Sequence, residues 1–344
     1  MSDRTFADDI DAAVDAVGDA WRTLSGKRLL VTGGTGFIGR WMLEALLAAE
    51  HRYGLGAKVR VLSRDPAAFA RKAPHLAAAF ELVAGDVLTL PASGEPVDYV
   101  LHAAADASAE LNRTDPARMF DTVVTGTRRV LDHAVAARAT RLFFLSSGAV
   151  YGAQPWDTTH VGEDWLGGPD PLDPRNAYAE AKRAAELLGA IYRKQHGLEV
   201  VNARIFAVLG PLLSLDTHFA AGNFIRDALA GRTVRVEGAG TAMRSYLYAG
   251  DLTAWLWTIL LRAAPGSTYN VGSEEAVSIA DLARRTAALL GDAGHEVLGR
   301  PDPGWNPGRY VPATALIRRD LGVRQRVDLD EAIRRTAASH GWRP

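Results

Sequence analysis

The sequence predicts an α/β protein: a doubly wound parallel sheet carrying a smaller C-terminal α/β lobe that would hold a substrate. Three observations predict it. Short β-rich runs alternate with Ala/Leu-rich helical stretches, the signature of βαβ crossovers and hence of parallel strands. A glycine-rich turn stands directly after the first of these runs. The length of 344 residues, against ~150 for a typical domain, asks for about two domains or one with an appended lobe. Hydrophobic residues at 48% and charged residues at 23% exclude disordered and fibrous classes.

In chain order, residues 1–26 form an expected amphipathic helix, with Phe6, Ile10, Val14, Val17 and Trp21 at helical spacing and acids between them. Packing on the main domain is a better use for that face than binding a partner. Residues 1–21 carry six Asp and no apolar run, so they do not read as a secretory signal. The best apolar run, Leu252 to Leu261, falls short of the ~20 residues of a membrane span. A cytoplasmic protein without a membrane partner is therefore expected. The formal net charge of −1 offers no basic footprint for nucleic acid. With Cys at 0, disulfides, thiolate catalysis and Cys-ligated metals are excluded, and the 9 His lack ligand spacing, so no metal is expected.

The expected strands are 28–32, 58–63, 81–84, 99–102 and 141–146, with helices over 37–50, 66–79 and 116–137. Residues 27–205 make a dinucleotide-binding domain of Rossmann type, and 206–344 mainly a substrate lobe, with 240–262 returning to the first domain. The stretch 153–175, rich in Pro, Gly, Asp and Trp, reads as a long structured loop. Its Trp156 and Trp165 either cover a sugar ring or staple the loop, whereas Trp255 and Trp257 read as core.

The strongest local signal is Gly33-x-x-Gly36-x-x-Gly39, between strand and helix. Glycines there permit a tight turn and bring the backbone to a pyrophosphate at a helix N-terminus. Thr35, Phe37 and Ile38 belong to the same turn. An ordinary Gly-rich connection is the plainer alternative, but this context favours a dinucleotide. The second strand ends Ser63-Arg64, followed by Asp65. A neutral Ser63 does not repel a 2′-phosphate and Arg64 can grip one, which favours NADP(H) over NAD(H). Asp65 could still serve NAD, and Arg64 could be a solvated charge.

Tyr178 and Lys182, four apart, share a helix face. An ammonium beside a phenol favours the phenolate, and such a pair can move a hydroxyl proton while hydride leaves the same carbon. The spacing alone is common. Upstream, Ser146-Ser147-Gly-Ala-Val-Tyr-Gly152 closes the fifth strand, placing a hydroxyl at the sheet edge where ligands of such folds bind. His102 ends the fourth strand and packs beside a cofactor more readily than it acts as a base.

Together these segments resemble the extended short-chain dehydrogenase/reductase superfamily over nearly the whole chain. They run in order through Gly85-Asp86-Val87, His102-Ala103-Ala104-Ala105, Ala203-Arg204, Gly210-Pro211, Arg244 to Asp251, Tyr269 to Ser273, Asp320-Leu321-Gly322 and 328–336. The resemblance implies nucleotide-sugar chemistry. In that case Ser147 and Tyr178 bind the reacting hydroxyl, and Lys182 holds the nicotinamide ribose and tunes Tyr178. Asp86 and Val87 flank adenine, Ala103, Ala104 and Ala105 line the cofactor, and Ser146 lies beside it. Arg244 clamps the substrate diphosphate, Asn223 contacts the nucleotide part, and Arg300 or Arg309 adds a second positive charge. Helices at 115–138 and 178–196 imply a C2 homodimer.

The chain also departs from the family pattern. Ala207 stands where relatives carry a substrate-contacting Asn, and the segment 123–127 lacks the usual relay Asn. Gly148 and Ala149 replace the acid and base of sugar 4,6-dehydratases, and nucleotide-glucuronate decarboxylases carry a glutamate there. Simple hydride transfer at a sugar carbinol, C4 above all, is what remains. The segment from Ser146 to Gly152 is most similar to UDP-galactose 4-epimerase-like proteins, so an epimerase is the first reading. An NADPH-dependent 4-keto-6-deoxy nucleotide-sugar reductase is the alternative, and a non-catalytic NADP-sensing regulator is the reading from another class.

Overall fold

The computed structural model describes residues 2–92, 94–104, 109–155, 157–216, 220–291, 293–302 and 308–343. Its framework is a sheet of seven parallel strands: β1 (Arg28–Thr32), β2 (Lys58–Ser63), β3 (Glu81–Ala84), β4 (Tyr99–His102), β5 (Arg141–Ser147), β6 (Glu199–Ile205) and, after four short strands, β11 (Thr268–Val271). The order β11-β6-β5-β4-β1-β2-β3 reverses direction between β1 and β4, where Thr32 pairs with His102. Connections leave to opposite sides at that point, which opens a crevice at the strands' carboxyl ends. The near-continuous apolar runs of β1, β5 and β6 follow from burial on both faces.

One face is covered by α1 (Ser2–Val17), α2 (Phe37–Tyr53) and, from later in the chain, α9 (Ala249–Arg262). The helical stretch expected over 66–79 is two helices, α3 (Pro66–Lys72) and α4 (Pro74–Ala79). Pro74 causes the break, because a proline disfavours helical geometry at the preceding Ala73. On the other face, α5 (Ala109–Thr114) leads into α6 (Pro116–Ala136), which packs along α7 (Ala177–His196). Pro116 at the first turn and the Asp115 side chain, which accepts from the Arg118 amide, start α6.

The smaller lobe gathers α8 (Ala220–Leu229), α10 (Ile279–Leu290) and α12 (Leu329–Ser339) around buried Phe224, Ile225, Leu282 and Ile333. Between β6 and α12 lie β7 (Val208–Leu209), β8 (Val234–Val236), β9 (Met243–Arg244), β10 (Leu247–Tyr248), β12 (Val277–Ser278), β13 (His295–Val297), β14 (Arg309–Tyr310) and α11 (Ala315–Leu321). The strands β12, β9 and β14 form a small sheet that faces the crevice with Arg244 paired to Tyr310. None of the described helices is long and apolar enough to cross a membrane.

The N-terminal helix holds both lobes. The helix expected over 1–26 ends at Val17 and passes into a 3₁₀ turn, Gly18–Leu24. Val14 and Val17 on α1 and Trp21 on that turn are fully buried against the main domain, with the Trp21 ring 4.7 Å from the Trp257 ring. One turn earlier, buried Asp9 accepts from the Tyr248 hydroxyl and from Arg335 on α12. Trp255 and Trp257 pack in the core, the latter donating to the Met42 carbonyl at 3.2 Å. Because Trp21 is buried to 0% exposure, Trp21→Ala is expected to cost about 3–5 kcal/mol, read as a lower urea midpoint at unchanged slope. A loss under about 1 kcal/mol would show that this helix is peripheral.

Candidate active site

The glycine turn after β1 is built by close approach. Gly33 has φ +72, and a Cβ there would lie 2.4 Å from the Ala104 nitrogen and 2.5 Å from the Ala103 carbonyl carbon. At Gly39 a Cβ would meet the Gly33 oxygen at 2.2 Å. Gly36 has open space over it, its nearest atom being the Gly33 oxygen at 3.5 Å, and no side chain caps α2. An uncapped helix start below an open glycine is a cradle for an anion, and it fits a dinucleotide pyrophosphate. Thr35 and Gly36 are exposed, and Phe37 and Ile38 are half-buried.

Beside this turn, Ser63 and Arg64 lie at the carboxyl end of β2. Ser63 is buried and its Oγ accepts from the Asp65 amide at 3.2 Å. Asp65 is occupied as the cap of α3, its Oδ1 accepting from Ala68 at 2.8 Å. Arg64 is exposed. Asp86, after β3, accepts from the Leu88 amide at 2.9 Å, and Val87 is buried against Gly126. Ala103 and Ala104 wall the glycine turn, while Ala105 lies outside the described residues.

Tyr178, Lys182 and Ser147 converge at the carboxyl end of β5. Asn112 on α5 accepts from the Tyr178 amide at 3.0 Å and donates to the Arg175 carbonyl at 2.8 Å, which fixes the start of α7. One turn on, Lys182 is 2% exposed and donates to the Leu145 carbonyl at 2.7 Å. Its ammonium stands 4.6 Å from the Phe144 ring centroid and 5.8 Å from that of Tyr178. Burial lowers the Lys182 pKa to about 7, against a raising effect of Glu186. The Tyr178 phenol is raised by burial, with the Ser147 hydrogen bond opposing. Burial thus favours the neutral phenol in the free chain, where the sequence suggested a phenolate supported by the ammonium.

Ser147 Oγ accepts from the Ala149 amide at 3.1 Å and lies 3.4 Å from the Tyr310 hydroxyl. Tyr310 was not anticipated as a member of this cluster. It is brought from β14, stacks on Phe206 at 4.5 Å, and donates to the Ile205 carbonyl at 3.3 Å. The Phe206 ring also fills the space over Gly148, within 2.6 to 2.8 Å of where a Cβ would stand.

Arg244 is half-buried, donates to the Met243 carbonyl at 2.8 Å, and neighbours Tyr310 across the β9–β14 pair. Arg309 directly precedes Tyr310, and Arg300 is exposed on a loop. Asn223 on α8 accepts from Arg226 at 3.3 Å and stands apart from the Ser147 cluster. Ser146, expected beside the cofactor, donates its hydroxyl to Glu186 at 2.5 Å. Trp165 lines a cavity of about 680 Å³ with Arg183, Leu187 and Arg204, which Ser147, Tyr178 and Lys182 do not line. Trp156 lies outside the described residues. Among the described residues, no group of three or more His, Cys, Asp or Glu could hold a metal ion.

The NAD dependent epimerase/dehydratase family matches residues 29–272. UDP-glucuronic acid decarboxylase 1 of Xenopus tropicalis is 32% identical over 316 residues, covering 90% of this chain and 71% of that protein. A dTDP-glucose 4,6-dehydratase of Streptomyces niveus is 29% identical over 311 residues, 87% of this chain and 88% of its own. Among solved structures, UDP-glucose 4-epimerase of Thermus thermophilus in complex with NAD is 26% identical with TM-score 0.74, covering 91% of this chain and 99% of that one. The Thermotoga maritima UDP-glucose 4-epimerase with UDP-glucose, 22% identical with TM-score 0.77 over 91% of this chain and 98% of that one, shares the fold.

His102 links the crevice walls: Nδ1 is 2.7 Å from Thr32 Oγ1, and Nε2 is 3.0 Å from Thr127 Oγ1. Burial, then the Lys182 charge, lowers its pKa to about 3, so it stays neutral and is no acid at physiological pH. The unfolded chain takes the proton first, so this group removes stability as pH falls below the ordinary 6.5 toward that value. A histidine NMR titration should show His102 invariant from about pH 5 to 8. A midpoint near the ordinary value would contradict this placement.

Proposed function

The chain belongs to the NAD dependent epimerase/dehydratase family, and on that premise we propose that it is an epimerase-type oxidoreductase acting at a nucleotide-sugar carbinol, C4, with NADP(H) preferred. The observation that carries this reading is the convergence of Ser147, Tyr178 and Lys182 where Gly148 and Ala149 offer no further acid or base. Among family members, the named relatives include decarboxylases and dehydratases. Here the Phe206 ring occupies the volume an acidic side chain at 148 would need, and Ala149 has no ionisable group. Elimination of water would lack its acid and base, and the glutamate expected of a decarboxylase is missing there, whereas moving the proton of one carbinol needs only the three side chains present beside a nicotinamide.

Ser147 and Tyr178 hold the reacting oxygen, and Tyr178 exchanges its proton as the carbon changes between alcohol and ketone. Lys182 anchors the nicotinamide ribose through its ammonium. A bound nicotinamide supplies the hydride acceptor and donor. Gly33, Gly36 and Gly39 with the amides of α2 hold the pyrophosphate. Asp86 and Val87 flank the adenine, and Ala103 and Ala104 line the cofactor beside the glycine turn. Arg244 and Arg309 neutralise the diphosphate of the sugar nucleotide, and Asn223 reaches its nucleoside end. Reduction of a 4-keto-6-deoxy sugar by NADPH is a second reading. It is supported by the burial that keeps Tyr178 protonated, the form that donates to a ketone oxygen. A C2 homodimer through α6 and α7 is part of the proposal, because Phe120, Leu187 and Ile191 leave apolar surface exposed there.

Tyr178→Phe removes the proton-transfer group and little else, so turnover on the true substrate should fall about 10²–10⁴-fold while NADPH affinity is retained. Near-wild-type turnover would remove Tyr178 from the mechanism. For the cofactor, Arg64→Ala should weaken NADPH about tenfold to a hundredfold in fluorescence titrations and hardly alter NADH. Ser63→Asp should reverse the preference by repulsion. Equal weakening of both cofactors by Arg64→Ala would make Arg64 an ordinary surface charge.

A further inference from the structure

Three consecutive turns of α7 carry Tyr178, Lys182 and Glu186 at intervals of four, so all three lie toward one helix face. Glu186 has no place in the proposed chemistry, yet it is held as firmly as the residues that do. Its carboxylate accepts from Ser146 Oγ at 2.5 Å and from Arg204 through Nη2 at 2.7 Å and Nε at 3.1 Å. Arg204, on β6, also donates to the Tyr151 hydroxyl at 2.8 Å, and that hydroxyl donates to Asn270 at 2.7 Å. The side chains of Glu186 and Arg204 are 12% and 17% exposed, so the pair is largely removed from water.

Lys182 has one carbonyl and an aromatic face against its ammonium, which is thin solvation for a cation at 2% exposure. The titratable groups around it are neutral His102 on β4, Tyr178 and Glu186 on α7, and Arg204 on β6 behind Glu186. We infer that Glu186 is a positioning residue for the catalytic pair: its carboxylate, one turn beyond Lys182 on α7 and clamped by Ser146 and Arg204, is the anionic partner of the buried Lys182 ammonium. The carboxylate raises an affinity for the proton that burial depresses. Arg204 aims the carboxylate and prevents it from swinging toward solvent.

This inference rests on the reading of Lys182 as the cofactor-anchoring cation. Its test is therefore NADPH affinity by fluorescence, with turnover alongside, each followed from about pH 5 to 10 for wild type, Glu186→Gln, the double variant Glu186→Gln/Arg204→Met, and Lys182→Met. Without the carboxylate, Lys182 should lose its proton sooner. The loss of affinity on raising the pH should then shift down by about one pH unit in Glu186→Gln. The double variant leaves no unpaired guanidinium, so it keeps the test open if the single variant folds poorly, and it should shift in the same direction. Glu186→Asp should restore the wild-type midpoint. A merely structural Glu186 would lower affinity at every pH with the midpoint unmoved, and that result overturns the inference. Should Lys182→Met keep the wild-type affinity and profile, the reading of Lys182 fails first. Should it lose both while Glu186→Gln leaves the midpoint in place, only the role of Glu186 falls.

Discussion

The site depends on how one ammonium is kept inside the protein. Lys182 is nearly sequestered from water, a costly position for a charge, and the fold compensates with a carbonyl at 2.7 Å, the Phe144 face and a carboxylate one turn away. Each compensation fixes an element. The Leu145 carbonyl ties α7 to β5, and the packing of Ala181, Ala185 and Leu188 against α6 sets the helix rotation. With that rotation set, Tyr178 one turn earlier meets Ser147, and Glu186 one turn later meets Ser146 and Arg204. The adjacent hydroxyls of β5 thus serve different residues of the same helix.

Family membership gives the class of protein and leaves the reaction's outcome to the residues of the site. Two relatives are a decarboxylase and a dehydratase by name, at 32% and 29% identity to this chain. The residues directly after β5, Gly148 and Ala149, carry no acid or base of their own. There Gly148 leaves its space to Phe206, and the same ring stacks on Tyr310, whose hydroxyl stands beside Ser147. The Ser147 cluster therefore carries the Tyr310 hydroxyl, and neither Gly148 nor Ala149 adds a carboxyl group.

The parts legible in the sequence are those with local causes. The parallel sheet follows from alternating patterns, and the turn from Gly33 and Gly39, whose missing side chains the backbone needs. Tyr178 and Lys182 could be paired because a single helix sets their distance. Glu186 lay on the same face and was equally readable, but its partner Arg204 comes from β6, and a carboxylate on a helix gives no sign of burial. Tyr310 reaches Ser147 across 163 positions through a two-residue strand, too short to leave a periodic signal. The same holds for Asp9, whose partners lie 239 and 326 positions away. Pro74 did announce the break between α3 and α4, and the Ala-rich run around it masked the signal.

If the chain moves hydride at one carbinol and removes nothing from the sugar, mass spectrometry of the products formed from a panel of UDP- and dTDP-sugars, with NAD(H) and NADP(H) supplied, shows it directly. Products of unchanged mass are expected for epimerisation, and products heavier by two hydrogens for reduction of a 4-keto substrate. Products lighter by water or by carbon dioxide would overturn the proposed function.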